Sequence, residues 1–446
     1  MQRTLKTANI NGYLNFITNL IEISKYEQNI KSITENLLTK DFQTMVFTDK
    51  FEENIISLIY HEITHFLDMT TTLWGLEYNS RKLLFIKNQI LSKKKLDSID
   101  VFKLNVSEIE IHNRLIQIYD TSQAKDLFLA SLKHHLVYDK NFGSLIMIDF
   151  FNQENLIASV PFSMLSLLEA NAISSEFLIR INCALNEEQI KKQISLKLIE
   201  DDFYNLLNNY EFLEYNLIFI LTKKHFPCLN LKELLIFVKT LIDYILNISS
   251  MEISLISTLI KHTIINQYLG NAIVKDMQRG MSRHIVLFKF ILMIYEYINQ
   301  DKFQFNNPND IKKNPKLFLK NFINEYISYY LKDFEIEITR DIEYQSSIKE
   351  FKKFEDILDS KIILESCQFN RNVLSKNFLH ELNIKDIKLI DIFLKDGSIL
   401  KMPNSINVDI EQYFDNNLEL ISKIDKLLET TDMFKFHIHP GDVTYV

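Results

Sequence analysis

Seven glycines in 446 residues constrain this chain more than any other single feature. An average chain of this length carries about thirty, and here none falls between Gly143 and Gly270. Glycine takes tight turns and lets a backbone close around a phosphate, so such a stretch leaves few positions for either. Walker and dinucleotide-binding glycine motifs are absent, and a helix-dominated architecture is favoured. Abundant Ile, Lys and Asn at the expense of Gly, Ala and Pro also fit an AT-rich coding sequence, so part of the bias is not structural.

Within that helical expectation one pentapeptide carries chemistry. His61-Glu62-Ile63-Thr64-His65 spells H-E-x-x-H. On a helix the two histidines stand about 40° apart and one turn removed, so both imidazoles can reach one metal ion. Glu62 lies about 60° to the other side of His65, from where its carboxylate can take a proton from water at the metal. With eleven histidines in the chain, chance supplies the pattern only about 0.02 times. The flanking residues support a helix. Asp41 to Thr48 is short, β-branched and aromatic and reads as a strand. Asp49 then offers an N-cap with Glu52 three residues on, and Ile55, Ile56, Ile59, Ile63, Phe66 and Leu67 recur at helical spacing through the motif. Thr70 to Thr72 and Trp74-Gly75 mark the end of this helix, with Trp74 in the core or a cleft wall.

The run His61 to Thr70 resembles the zincin superfamily of zinc metallopeptidases, in which an edge strand precedes an active-site helix carrying HExxH, and within it the thermolysin-type gluzincins. The resemblance covers about thirty residues. It implies Zn2+ held by His61 and His65, with Glu62 as general base. It departs from the family where a near glutamate ligand belongs, because no glutamate lies between Glu77 and Glu108. The metzincin pattern fails as well, since no glycine and third histidine follow Phe66.

The third ligand is therefore expected farther along, at Glu169 in Ser163 to Arg180. Gluzincin-like families with long insertions are similar, with the ligand on a second helix crossing the first. Ala170, Ala172, Ser174 and Ser175 are small enough to let two helix backbones approach closely. Glu176, seven residues later on nearly the same face, is a fallback ligand or a partner that orients a histidine. The bland alternative is an ordinary glutamate pair on an amphipathic helix. Asp68 falls about 20° from His61 on the helical wheel, which suits a carboxylate supporting the ligands or a capping role.

Composition bounds the remainder. At 47% hydrophobic the chain has ample material for two or three cores. Cys183, Cys228 and Cys367 are far apart and odd in number, which excludes a disulfide framework and a cysteine zinc site. Residues 1 to 20 lack a signal-peptide apolar region, and the most apolar run, Ile285 to Ile298, is cut by Lys289 and Glu296. A soluble cytoplasmic protein without a membrane partner is expected. A net charge of −8 argues against a general nucleic-acid binder.

Along the chain the fold class is expected to be mainly α, with three consecutive parts: a zincin-like α+β domain over 1–185, a helical domain over 186–315 and a small α+β module over 316–446. Leu231 to Leu246 and Val274 to Tyr297 read as amphipathic helices. Asn306 to Pro308 and Asn314-Pro315 mark a break. Phe334 to Tyr344 and Met433 to His439 alternate as strands do, and Asp396-Gly397 between apolar runs is the strongest hairpin signal. His437 and His439 share a strand face and read as structural. His134 and His135 are expected on a helix, and nothing selects among them and Tyr138 for a role at a transition-state oxyanion. The basic segment Gly270 to His284 reads as a solvated loop.

Two functions fit. One is a zinc-dependent intracellular endopeptidase acting on a protein substrate, with activation by a protein partner as a variant of that reading. The other is a zincin-like scaffold whose metal site is structural or inactive and whose helical region binds a partner.

Overall fold

The computed structural model describes residues 12–16, 18–24, 28–92, 115–119, 127–139, 143–278, 282–300, 308–330, 336–354 and 358–415. These are mostly helical, with two small sheets. They sort into two compact units, each assembled from separated stretches, where the sequence suggested three consecutive domains. The first comprises Met1–Leu104, Ala172–Phe203 and Tyr344–Phe434; the second comprises Asn105–Asn171, Tyr204–Glu343 and Lys435–Val446.

In chain order the helices are α1 (Gln28–Leu38), α2 (Lys50–Thr71), α3 (Leu73–Ser92), α4 (Met164–Leu185), α5 (Gln189–Leu207), α6 (Leu213–His225), α7 (Leu231–Leu246), α8 (Ser250–His262), α9 (Gln267–Gln278), α10 (Arg283–Ile298), α11 (Pro308–Lys313), α12 (Pro315–Phe322), α13 (Ile336–Lys352) and α14 (Leu358–Leu374). The strands are β1 (Gly12–Asn15), β2 (Leu20–Ile23), β3 (Gln117–Ile118), β4 (Ser131–Asp139), β5 (Gly143–Asn152), β6 (Asn155–Phe162), β7 (Ile392–Leu394) and β8 (Ile399–Leu400).

The first unit is built around α2. Asp49 caps it, accepting from the Glu52 backbone N–H at 2.9 Å, while the Glu52 carboxylate reaches back to the Thr48 N–H at 2.9 Å. From Ile59 to Thr71 every residue of α2 is buried. Its end falls at Thr71, and α3 starts at once from Leu73 with Trp74 in the core. This abrupt restart needs Gly75: a Cβ there would stand 2.2 Å from the Asp68 carbonyl oxygen. The strand expected over Asp41 to Thr48 is absent; the segment is turns and irregular backbone. Side chains replace a ladder there. Asn383 accepts from the Phe42 N–H at 2.7 Å, and Asn186 donates to the carbonyls of Gln43 and Met45. Phe42 and Met45 are buried, so the apolar pattern served anchoring rather than pairing.

The sheet of this unit runs β1-β2-β7-β8, antiparallel except for the parallel β2–β7 pair, which leaves β1 at an edge. The β7–β8 hairpin is the one expected at Asp396-Gly397, with Gly397 at φ +82° and its N–H bonded to the Leu394 carbonyl at 2.9 Å. Leu76 and Leu83 of α3 share a core with Ile348 and Phe351 of α13 and Ile363 and Cys367 of α14. Thr70 and Ser366 hydroxyls, 2.7 Å apart, tie α2 to α14.

The second unit carries the sheet β3-β6-β5-β4, antiparallel throughout. Its presence corrects the expectation for His134 and His135, which lie on β4 rather than a helix. Helix α7 matches its expected bounds, with Asn230 and Glu233 forming a capping box. Two further expectations are corrected. The segment Phe334 to Tyr344 is helical from Ile336, because Thr339, Arg340 and Glu343 share a helix face against the start of α8: Arg340 forks onto Glu252 at 2.8 and 2.6 Å, and Glu343 accepts from the Ser250 N–H. The basic segment Gly270 to His284 is no solvated loop where it is described. Arg283 and His284 are buried in the first turn of α10, and Arg283 donates to the Ile248 carbonyl. The expected strand Met433 to His439, with His437 and His439, lies outside the described residues.

Among the described residues no single helix is long and apolar enough to cross a membrane; α7 and α8 pass that test only together, across a bend of 110°.

Candidate metal centre

Two helices carry the site. On α2, His61 and His65 stand one turn apart with ring centroids 5.0 Å from each other and planes at 80°. On α4 lies Glu169, among Ala170, Ala172, Ser174 and Ser175, all fully or almost fully buried. One donor atom from each of His61, His65 and Glu169 lies within 4.8 Å of the other two, and all three residues are buried. This is the only such group of three or more His, Cys, Asp or Glu side chains among the described residues.

The donor chemistry fits a divalent cation. Two neutral imidazole nitrogens and one carboxylate oxygen make the His, His, Glu set of catalytic zinc sites, which leaves a coordination position open. Ligand atoms about 2.0–2.2 Å from a shared ion stand about 3.3–3.6 Å apart in a tetrahedron, so small side-chain movements close the triad. A buried carboxylate also needs a compensating charge, and a cation there supplies one.

Glu176 was expected as a fallback ligand or as a partner that orients a histidine. It lies outside the donor group, and its Oε2 sits 3.1 Å from His61 Nδ1. A carboxylate at this distance can accept from Nδ1 when that nitrogen carries the proton. Behind it, Arg180 one turn along α4 donates to Glu53 at 2.5 Å and to Asp202 of α5. Burial alone would lower the Arg180 pKa, but Glu53, Glu176 and Asp202 together raise it, which keeps the guanidinium charged. Lys50 bridges the same two acids, at 3.0 Å to Glu53 and 3.2 Å to Asp202. The start of α2 is thereby clamped to α4 and α5. Helix α4 is unbroken from Met164 to Leu185, so the position of Glu176 against His61 also fixes Glu169 two turns earlier.

Glu62 is buried at 3% exposure and faces β1. A Cβ built on Gly12 would come 2.9 Å from Glu62 Oε1. Phe16, just past the end of β1, meets the His65 ring edge-on at 6.1 Å. The edge strand that adjoins the motif helix is thus Gly12–Asn15 and not the expected Asp41 to Thr48. Sequence reasoning missed Gly12 altogether; its scarcity among seven glycines was the one available signal. Asp68 is buried, which excludes a solvent role, and it stands outside the donor group.

Near Glu169, Asn171 accepts from the buried Lys239 ammonium of α7 at 2.9 Å. Burial pushes the Glu214 carboxyl up to about 7, and the charge of Glu169 adds to the effect. His134, His135 and Tyr138 all lie on β4, where alternation sends the two histidines to opposite faces.

No protein-family model matches this chain, and neither the curated proteins nor the solved structures contain a match.

Proposed function

We propose that this protein is a zinc-dependent peptidase whose metal is held by His61, His65 and Glu169. The observation that carries the reading is the meeting of these three donors within 4.8 Å, with the HExxH glutamate on the same helix. A bound divalent cation would supply a Lewis acid that lowers the pKa of a water and polarises a substrate carbonyl. Glu62 would serve as general base toward such a water and would hand its proton to the leaving amine. Glu176 keeps His61 in the ligating tautomer, and the charge of Arg180 lies near enough to act on Glu176. A protein substrate, and activity restrained until a protein partner binds, remain part of this reading.

One observation favours a second reading. Glu62 and all three donors are 8% exposed or less, which suits a scaffold with a structural metal. Hydrolysis of denatured casein by the zinc-loaded full chain separates the two. The peptidase reading expects cleavage that Glu62→Gln abolishes while bound zinc is unchanged. Cleavage persisting in Glu62→Gln overturns Glu62 as the base, and cleavage absent from the wild type under every partner condition tried favours the scaffold.

A further inference from the structure

The carboxylate of Glu62 is packed against backbone. A Cβ on Gly12 of β1 would meet Glu62 Oε1 at 2.9 Å, and Phe16, just past the other end of β1, lies edge-on to the His65 ring at 6.1 Å. His61, Glu62 and His65 are all buried. A general base needs room at its carboxylate for a water and for the substrate carbonyl beside it. Here the Gly12 backbone stands at Oε1.

Little holds β1 along its length. Among the described residues it is a four-residue edge strand paired with β2 alone, whereas β2 pairs on its other side with β7. A short strand bonded along one edge opens more readily than the elements around it.

What fixes β1 is the turn that follows it. The Asn15 side chain accepts from the Thr18 N–H at 3.1 Å, and the Asn19 N–H donates to the Asn15 carbonyl at 2.7 Å, with Asn19 left-handed at φ 56°. The Asn19 side chain donates to Asn79 of α3 at 3.2 Å, and Asn79 in turn donates to the Met69 and Gly75 carbonyls at the α2–α3 corner. The Thr18 carbonyl accepts from the Tyr413 hydroxyl at 2.7 Å, across 395 positions of sequence. That hydroxyl also reaches the Asp359 carboxylate, and the Lys82 ammonium stands 3.4 Å from the same carboxylate. Thr18, Asn19, Asn79, Lys82, Asp359 and Tyr413 are all buried.

Burial, with the charge of Asp359, raises the Tyr413 pKa well above its ordinary value, so the hydroxyl keeps its proton as a donor. Burial lowers the Lys82 pKa, and Asp359 opposes that. A buried ion pair is weak evidence for stability. Here its place in the fold is behind the hydroxyl that holds one turn.

We propose that β1 and Phe16 form a lid over Glu62 and His65, latched at the Thr18 carbonyl by Tyr413, with Lys82 and Asp359 holding the Tyr413 hydroxyl. The inference rests on the peptidase reading and gives the restraint on activity a physical seat: the lid is closed as it stands, and release of the turn admits substrate.

The test compares amide hydrogen exchange, zinc release and casein cleavage in the zinc-loaded full chain and in Tyr413→Phe, which keeps the ring and removes the hydroxyl. Exchange over residues 12–19 should be about tenfold faster in the variant, the scale of one hydrogen bond to a charged group, with residues 55–71 of α2 unchanged. A chromogenic chelator should take zinc about tenfold faster, and casein turnover should rise. Unchanged exchange over 12–19, acceleration that extends through 55–71, or reduced turnover at full zinc occupancy overturns the lid. So does a wild type in which 12–19 exchanges no faster than 55–71, whether or not the variant folds. Zinc absent from the wild type refutes the metal centre instead, and the exchange pattern then decides the latch by itself.

Discussion

His61 Nδ1 and Glu176 Oε2 stand 3.1 Å apart, joining residues 115 positions distant in the sequence. In the proposed centre this contact leaves Nε2 of His61 as the ligating nitrogen. Glu176→Gln removes the charge and keeps the shape, so zinc affinity should fall about 10- to 100-fold, read by competition with a chromogenic chelator. The thermal midpoint of the zinc-free protein should move little, because Arg180 keeps Glu53 and Asp202.

Gly12 faces the proposed base. A methyl group there would lie 2.9 Å from Glu62 Oε1, closer than such atoms pack, so Gly12→Ala must push the Glu62 carboxylate aside. Peptidase turnover is expected to fall about 10- to 100-fold, the scale of a misplacement of about 1 Å, with zinc content unaltered. Loss of zinc together with turnover would show instead that β1 supports the ligands.

The Asp49 cap makes a separate prediction about stability. Asp49→Ala leaves the Glu52 N–H without its side-chain acceptor and should destabilise the protein by about 1 kcal/mol in urea unfolding. Asp49→Asn should restore most of it.

Thiol chemistry tests the burial pattern. Burial, with the charges of Glu53 and Glu187, pushes the Cys183 thiol up to about 12, and burial pushes that of Cys367 up to about 11. At pH 8 about one Cys183 in ten thousand is then thiolate. Iodoacetamide should therefore label the exposed Cys228 in the folded protein, and peptide mapping should find Cys183 and Cys367 modified only after unfolding.

What the sequence disclosed was local. Asp49 and Glu52 signalled the start of α2, the apolar spacing of Leu231 to Leu246 signalled α7, and Asp396-Gly397 signalled the β7–β8 hairpin, because each signal and its consequence lie within a few residues. Glu169 was singled out because the near glutamate was missing, and it stands in one donor group with His61 and His65. The failures were matters of distant pairing. Gly12–Asn15 is only four residues long, and its partner β2 is completed by β7 some 370 positions away. Asp41 to Thr48 has a strand's composition, but Asn186 and Asn383 take its backbone groups. The β5–β6 hairpin turns at Gln153 with φ 55°, where neither Gly nor Asn announces a left-handed residue. Phe334 to Tyr344 alternates as a strand would, and contacts to α8 hold it as a helix from Ile336.

The most direct test of the account is the metal content of the full chain purified without chelator, measured by mass spectrometry for the wild type, Glu62→Gln and Glu169→Ala. One zinc per chain is predicted for the wild type and for Glu62→Gln, with loss in Glu169→Ala. Substoichiometric zinc in the wild type, or full zinc retained in Glu169→Ala, would contradict a centre built from His61, His65 and Glu169.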